Sequence, residues 1–171
     1  MRAFVAISMS PEVSDAMVRL QRRLGFGRAV PEDNLHLTLA FLDDQPEDLL
    51  EELHGHLAGL RCAPFSLSFT GLGVFGSAVH VPANDSANLT TLHGRVLGTC
   101  RKAGITLARR RFRPHVTVAR LGKGQTPPPL RAELADFQIP DMEVQQVTLF
   151  ESTLHPKGAR HDPLAIYPLR A

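Results

Sequence analysis

His36-Leu37-Thr38-Leu39-Ala40-Phe41-Leu42 and His115-Val116-Thr117-Val118-Ala119-Arg120-Leu121 share histidine, threonine, alanine and leucine in register, nearly half of the 171-residue chain apart. Each heptad alternates as a strand does. His36 and Thr38 then project to one side, and Leu35, Leu37, Leu39 and Phe41 to the other. Val116 and Val118 repeat the anchoring beneath His115 and Thr117. On this strict alternation Phe41 falls on the face opposite His36, and Arg120 on the face opposite His115. A doubled strand predicts two lobes that each lend one strand to a shared cleft.

The flanks fill in an α+β chain. Arg2 to Ser8 reads as an opening strand. Val13, Ala16, Met17, Leu20 and Leu24 then mark one face of a helix, with Pro11 near its start and Gly25 after its end. Leu49, Leu53, Leu57 and Leu60 mark a second helix opening at Pro46. Ser86 as cap, the stripe Leu89, Leu92, Val96 and Cys100, and Gly104 as stop mark a third. Phe65 to Phe69 alternates, and Ala78 to Pro82 is expected to pair with it through the Gly71, Gly73 and Gly76 region. Further strands are expected at His115 to Leu121, Val144 to Ser152 and Leu164 to Leu169. Gly122 to Pro129 reads as an exposed loop, a candidate gate. Helices separate the strands early in the chain and not late. That pattern predicts largely antiparallel sheets in a single unit over residues 1–171.

Composition narrows the function classes. Nineteen basic against 17 acidic residues give a formal charge of +2, with 43% hydrophobic and 21% charged residues, as in a globular domain with a buried core. Two cysteines, Cys62 and Cys100, are too few for a disulfide framework and too isolated for a Cys-x-x-Cys site. No stretch reaches the roughly 20 apolar residues of a membrane helix, and the opening strand does not read as a signal peptide. A cytoplasmic protein without a membrane partner, acting as a monomer, is expected. The near-neutral total hides a polarity. Arg101 to Lys123 holds eight basic residues and no acid, whereas Glu32 to Glu52 holds eight acids and no Lys or Arg. Such a basic region beside one histidine suits an anionic substrate, nucleic acid in particular, although it also fits a solvated face.

Two imidazoles on rigid strands meet the needs of phosphodiester chemistry. In-line displacement at phosphorus requires a base for the incoming oxygen and an acid for the departing one, on opposite sides. Histidine, with an ordinary pKa near about 6.5, serves in either role. A threonine two residues on sets a hydroxyl beside each ring, able to hydrogen-bond a nonbridging phosphate oxygen. Taken singly, a strand histidine is commonly structural and threonine is simply a good strand former. The in-register pair is what points to catalysis.

With these residues in view, the chain resembles the 2H phosphoesterase superfamily, named for two His-x-Thr/Ser-x motifs, and within it the RNA 2',3'-cyclic phosphodiesterases formerly described as 2'-5' RNA ligases. The likeness rests on five stretches: Arg2-Ala3-Phe4-Val5-Ala6-Ile7, Val30 to Leu42, the Gly71-Leu72-Gly73-Val74-Phe75 turn, Phe112 to Arg120, and Leu149-Phe150-Glu151-Ser152. It implies a bilobal fold of two mainly antiparallel sheets, with pseudo-two-fold related lobes around a central cleft and helices on the outer faces. It also implies hydrolysis of a terminal 2',3'-cyclic phosphate, on RNA or a nucleotide, to a 2'-phosphate, with no metal and no cofactor. By position His36 is the implied proton donor to O3' and His115 the acceptor that activates water, with Thr38 and Thr117 holding the phosphate. Arg113 and Arg120 are candidates for phosphate or backbone contacts, and Phe41 and Phe75 for base stacking. Core burial is the first expectation for both phenylalanines on grounds of apolar area. The family's pattern has tryptophan before the Val-Pro pair, where this chain has Ala29, and an aromatic near the C-terminal strand, where it has His161. With no tryptophan in the chain, the stacking those positions imply does not carry over.

The other histidines suggest no ligand set. His54 and His56 fall on opposite flanks of a helix, and surface positions are expected for them. His80, His93, His155 and His161 lack a partner at ligand spacing, although His161 reaches the cleft if its strand borders it. Competing readings keep the cleft but change its use: 2'-5' ligation, another cyclic nucleotide as substrate, or RNA or nucleotide binding without turnover.

Overall fold

The computed structural model describes residues 1–128, 134 and 137–171. Local signals set the helices. Helix α1 (Pro11–Leu24) starts at Ser10, whose hydroxyl accepts from the Val13 N–H, and stops at Gly25, where φ is +70°. Only a residue without a side chain takes that conformation freely. Helix α2 (Glu47–Ala58) buries Leu50, Leu53 and Leu57. Helix α3 (Ala87–Lys102) is capped by Ser86 on the Leu89 N–H. No helix among the described residues is long and apolar enough to cross a membrane.

Among the described residues ten strands form two mainly antiparallel sheets. In chain order they are β1 (Arg2–Ser8), β2 (Arg28–Ala29), β3 (His36–Asp44), β4 (Phe65–Leu67), β5 (Gly73–Phe75), β6 (Ala78–Pro82), β7 (His115–Arg120), β8 (Met142–Val144), β9 (Gln146–His155) and β10 (Gly158–Pro168). The large sheet runs β10-β9-β1-β3-β7-β6-β5, with β2 also on β7, and β4 pairs with β8 in a small one. The two halves of the large sheet meet at β3 and β7, where Leu37 opposite Val116 is the single ladder pair among the described residues. Ala3, Val5 and Ile7 of β1 face the main core, while Phe4 and Ala6 join Phe150 in a small apolar cluster on the other face. Coverage on both faces is why β1 reads as a continuous apolar run.

Two strand expectations are corrected. Ala78 to Pro82 does not form a ladder with Phe65 to Phe69; a single bridge, Phe69 to Ala83, lies just past its end. Strand β6 closes a shorter hairpin with β5 across Gly76 and Ser77, with Gly76 at φ +56°, the tight connection that hairpin turns favour. The late strands are longer than their apolar residues suggest. β9 and β10 form a hairpin turning at Pro156 and Lys157, in which polar Arg160, His161 and Asp162 are paired and Pro163 sits at a register shift, a position that tolerates proline. Of the expected loop, Gly122 to Pro128 lies outside the strands and helices; Pro129 is outside the described residues.

Candidate active site

The antiparallel Leu37–Val116 pair builds the site. Stepping one residue each way along the two strands sets His36 beside Thr117, and Thr38 beside His115. The two rings are anchored alike: His36 Nδ1–H donates to the Asn34 carbonyl and His115 Nδ1–H to the Arg113 carbonyl, both at 2.6 Å. A carbonyl can only accept, so Nδ1 holds its hydrogen and Nε2 is left as the proton-exchanging atom of each ring.

Each imidazole also has a phenylalanine and a second histidine against it. Around His36, Phe4 lies at 4.9 Å and His161 at 5.3 Å between ring centroids, His161 edge-on. Around His115, Phe75 lies at 5.2 Å and His80 at 5.1 Å. His80 in turn stacks on Phe75 at 3.9 Å. Burial pushes His36 down to about 4, opposed by the Asn34 carbonyl and reinforced by the positive charges of His161, Arg120 and His115. Burial also lowers His80 and His161. His161 thus borders the cleft through the β9–β10 hairpin. His80 was invisible in spacing, because only the β6–β7 register, with His80 opposite Thr117, carries it to His115.

Phe41 and Arg120 require a correction, and its cause is the same in both motifs. The β1–β3 register skips Leu39, and the β6–β7 register skips Val118. These are equivalent positions in the two heptads. A β-bulge there turns the chain by one face. Leu39 and Ala40 are therefore both buried, as are Val118 and Ala119, and the next residue in each strand, Phe41 or Arg120, swings to the histidine side. Arg120 comes close enough to His36 and His161 to act on both electrostatically. Phe41 is 52% exposed and Phe75 38%, so neither is a core residue. The Arg113 guanidinium lies over Phe75 at 5.6 Å and that of Arg110 over Phe41 at 5.5 Å.

A cavity of about 1090 Å³ opens beside Thr38 and His115, between β3 and the segment from Gly104 to Arg113. Elsewhere His54 Nδ1 bonds the Tyr167 hydroxyl at 2.8 Å, and His93 stacks on Phe112 at 3.8 Å. Among the described residues no three His, Cys, Asp or Glu side chains gather as a metal site.

Comparison with known proteins agrees with this geometry. The family model described as the 2'-5' RNA ligase superfamily matches residues 9–155. A Geobacillus stearothermophilus protein named RNA 2',3'-cyclic phosphodiesterase is 31% identical over 97% of this chain, which spans 56% of that protein's length. One of the same name from Archaeoglobus fulgidus is 30% identical, over 98% of this chain and 99% of its own. The crystal structure of a Thermus thermophilus protein, TT0787, superposes with a TM-score of 0.83 at 27% identity, covering 99% of this chain and 98% of that one.

Proposed function

The chain belongs to the 2'-5' RNA ligase superfamily, and within the 2H phosphoesterases to the RNA 2',3'-cyclic phosphodiesterase family; from that premise we propose that it hydrolyses 2',3'-cyclic phosphate termini of RNA or nucleotides to 2'-phosphates. The observation that carries the reading is the Leu37–Val116 pair, which sets two identically anchored imidazoles and two hydroxyls at one seam. A water oxygen attacks phosphorus and gives its proton to His115 Nε2. The P–O3' bond breaks as His36 Nε2–H protonates the departing O3'. Thr38 and Thr117 hydrogen-bond the nonbridging oxygens, and Arg120 and Arg113 balance their charge. Phe75, beside His115, presents an exposed face to the base of the terminal nucleotide.

The charge state of the free site bears on the donor. With a pKa of about 4, His36 is neutral at pH 7 until substrate arrives. A phosphodiester anion offsets the positive charge of Arg120 and favours the protonated ring where O3' departs. Both proton transfers are met by imidazoles, so turnover is expected to survive EDTA.

The test is incubation with a 2',3'-cyclic phosphate-terminated oligonucleotide and with nucleoside 2',3'-cyclic phosphates, followed by identification of the product isomer. The expected product is the 2'-phosphate. A 3'-phosphate, or binding without turnover, would refute the reading.

A further inference from the structure

The two strands of the seam differ one step beyond their threonines. Along β7, Ala119 pairs with Ala29 of β2, and the Val118 carbonyl accepts from both the Val30 N–H, at 2.9 Å, and the Gln21 amide, at 2.9 Å. Along β3 the equivalent edge, Leu39 to Phe41, carries no such strand among the described residues. It forms one wall of the cavity of about 1090 Å³. The facing wall is the Gly104–Arg113 segment, which brings Arg109, Arg110 and Arg111 to the same space. Among the described residues none of these three pairs with a carboxylate, and Asp43 is the one acid on the cavity wall.

We propose that this cavity is a subsite for the single-stranded RNA on the 5' side of the reacting phosphate, with a base on Phe41 and the backbone phosphates on Arg109, Arg110 and Arg111. The proposal rests on the phosphodiesterase reading for its direction: a cyclic phosphate is a 3' end, so the rest of a strand leaves the reacting atoms by one route. The cavity begins at Thr38 and His115, where that phosphate would sit. Its volume exceeds the roughly 300–1,000 Å³ that encloses one drug-sized ligand, which is more than a single nucleotide needs. An exposed aromatic under a cation is a stacking platform tolerant of any base. The wall is held in place: Ile105 is buried, Phe112 lies parallel to His93, and the Pro114 carbonyl accepts from the Ala83 N–H at 3.0 Å.

The experiment compares a tetranucleotide ending in a 2',3'-cyclic phosphate with the matching nucleoside 2',3'-cyclic phosphate, and measures anisotropy of the 2'-phosphate tetranucleotide product, which needs no turnover. Proteins compared are the wild type, the combined Arg109→Ala, Arg110→Ala, Arg111→Ala variant, and Phe41→Ala, each checked by circular dichroism. The triple variant is expected to cut the kcat/KM preference for the tetranucleotide at least tenfold. Its log–log salt slope of binding should fall by about 2, since each single-strand phosphate contact contributes about 0.7. Phe41→Ala should weaken tetranucleotide binding about tenfold with the slope unchanged. An unaltered length preference and slope would overturn the proposal, and so would equal losses on both substrates, which would reduce the loop to a support for His115. If the wild type turns over neither substrate, the phosphodiesterase reading falls, while the binding measurements still decide the subsite.

Discussion

His36 and His115 share a motif, an Nδ1 anchor at 2.6 Å and a flanking Phe–His pair, yet their surroundings differ. His36 sits over the Phe4, Ala6 and Phe150 cluster with Arg120 and His161 nearby, and its proton is expelled. His115 lies beside the partly exposed Phe75 and the mouth of the basic cavity. The lesson is that a repeated motif fixes ring orientation through local backbone, while the surroundings of each ring are set by what other strands bring to it, and at His36 they hold the ring neutral. The first half is therefore governed by burial and charge, and the second by packing around Phe75 and His80.

The largest effect tests what the halves have in common. His36→Ala and His115→Ala are each expected to lower kcat about 10²–10⁴-fold on the cyclic phosphate, the usual worth of a general acid or base. Near-normal turnover in either would break the equivalence.

A smaller effect tests the charge asymmetry. Since His36 has a folded pKa of about 4, below the unfolded value of about 6.5, the unfolded chain binds more protons between those pH values. The stability His36 contributes is fully present above about pH 6.5 and is lost as pH falls toward 4. Urea unfolding at pH 6.5 and 4.5 should show the wild type losing about 2–3 kcal/mol more than His36→Gln. His80, His93 and His161 act in the same direction in both proteins. Parallel losses would mean that His36 is not held neutral.

The smallest effect probes packing in the other half. A Cβ at Gly73 would meet the His80 ring at 2.9 Å, and that ring is buried and stacked on Phe75. Gly73→Ala is expected to destabilise by about 1–3 kcal/mol, the cost of overpacking, and to reduce kcat as the rings around His115 shift. Unchanged stability, read from the urea midpoint, would show that His80 moves aside freely.

What the sequence discloses follows from the range over which each feature is determined. The helix boundaries at Pro11, Gly25 and Ser86 were legible because start and stop signals are decided within a few residues. His36, Thr38, His115 and Thr117 were legible because strand alternation is local and the motif occurs twice. Strict alternation puts Phe41 and Arg120 on the wrong face because a bulge belongs to the ladder between strands and leaves no mark on one strand's alternation. The consecutive buried pairs Leu39-Ala40 and Val118-Ala119 are its only trace. His80 and His161 reach the cleft through the register of β6 and through a polar hairpin that apolar periodicity cannot signal.

The central claim, that His36 gives a proton to O3' while His115 takes one from water, is tested most directly by the leaving group. A bell-shaped pH profile does not distinguish donor from acceptor, since the two singly protonated forms titrate together. A cyclic substrate with sulfur in place of O3' departs as a thiolate and needs no acid. The account predicts that this substrate restores most of the lost kcat to His36→Ala and leaves His115→Ala impaired. Recovery in His115→Ala with none in His36→Ala would contradict the assignment.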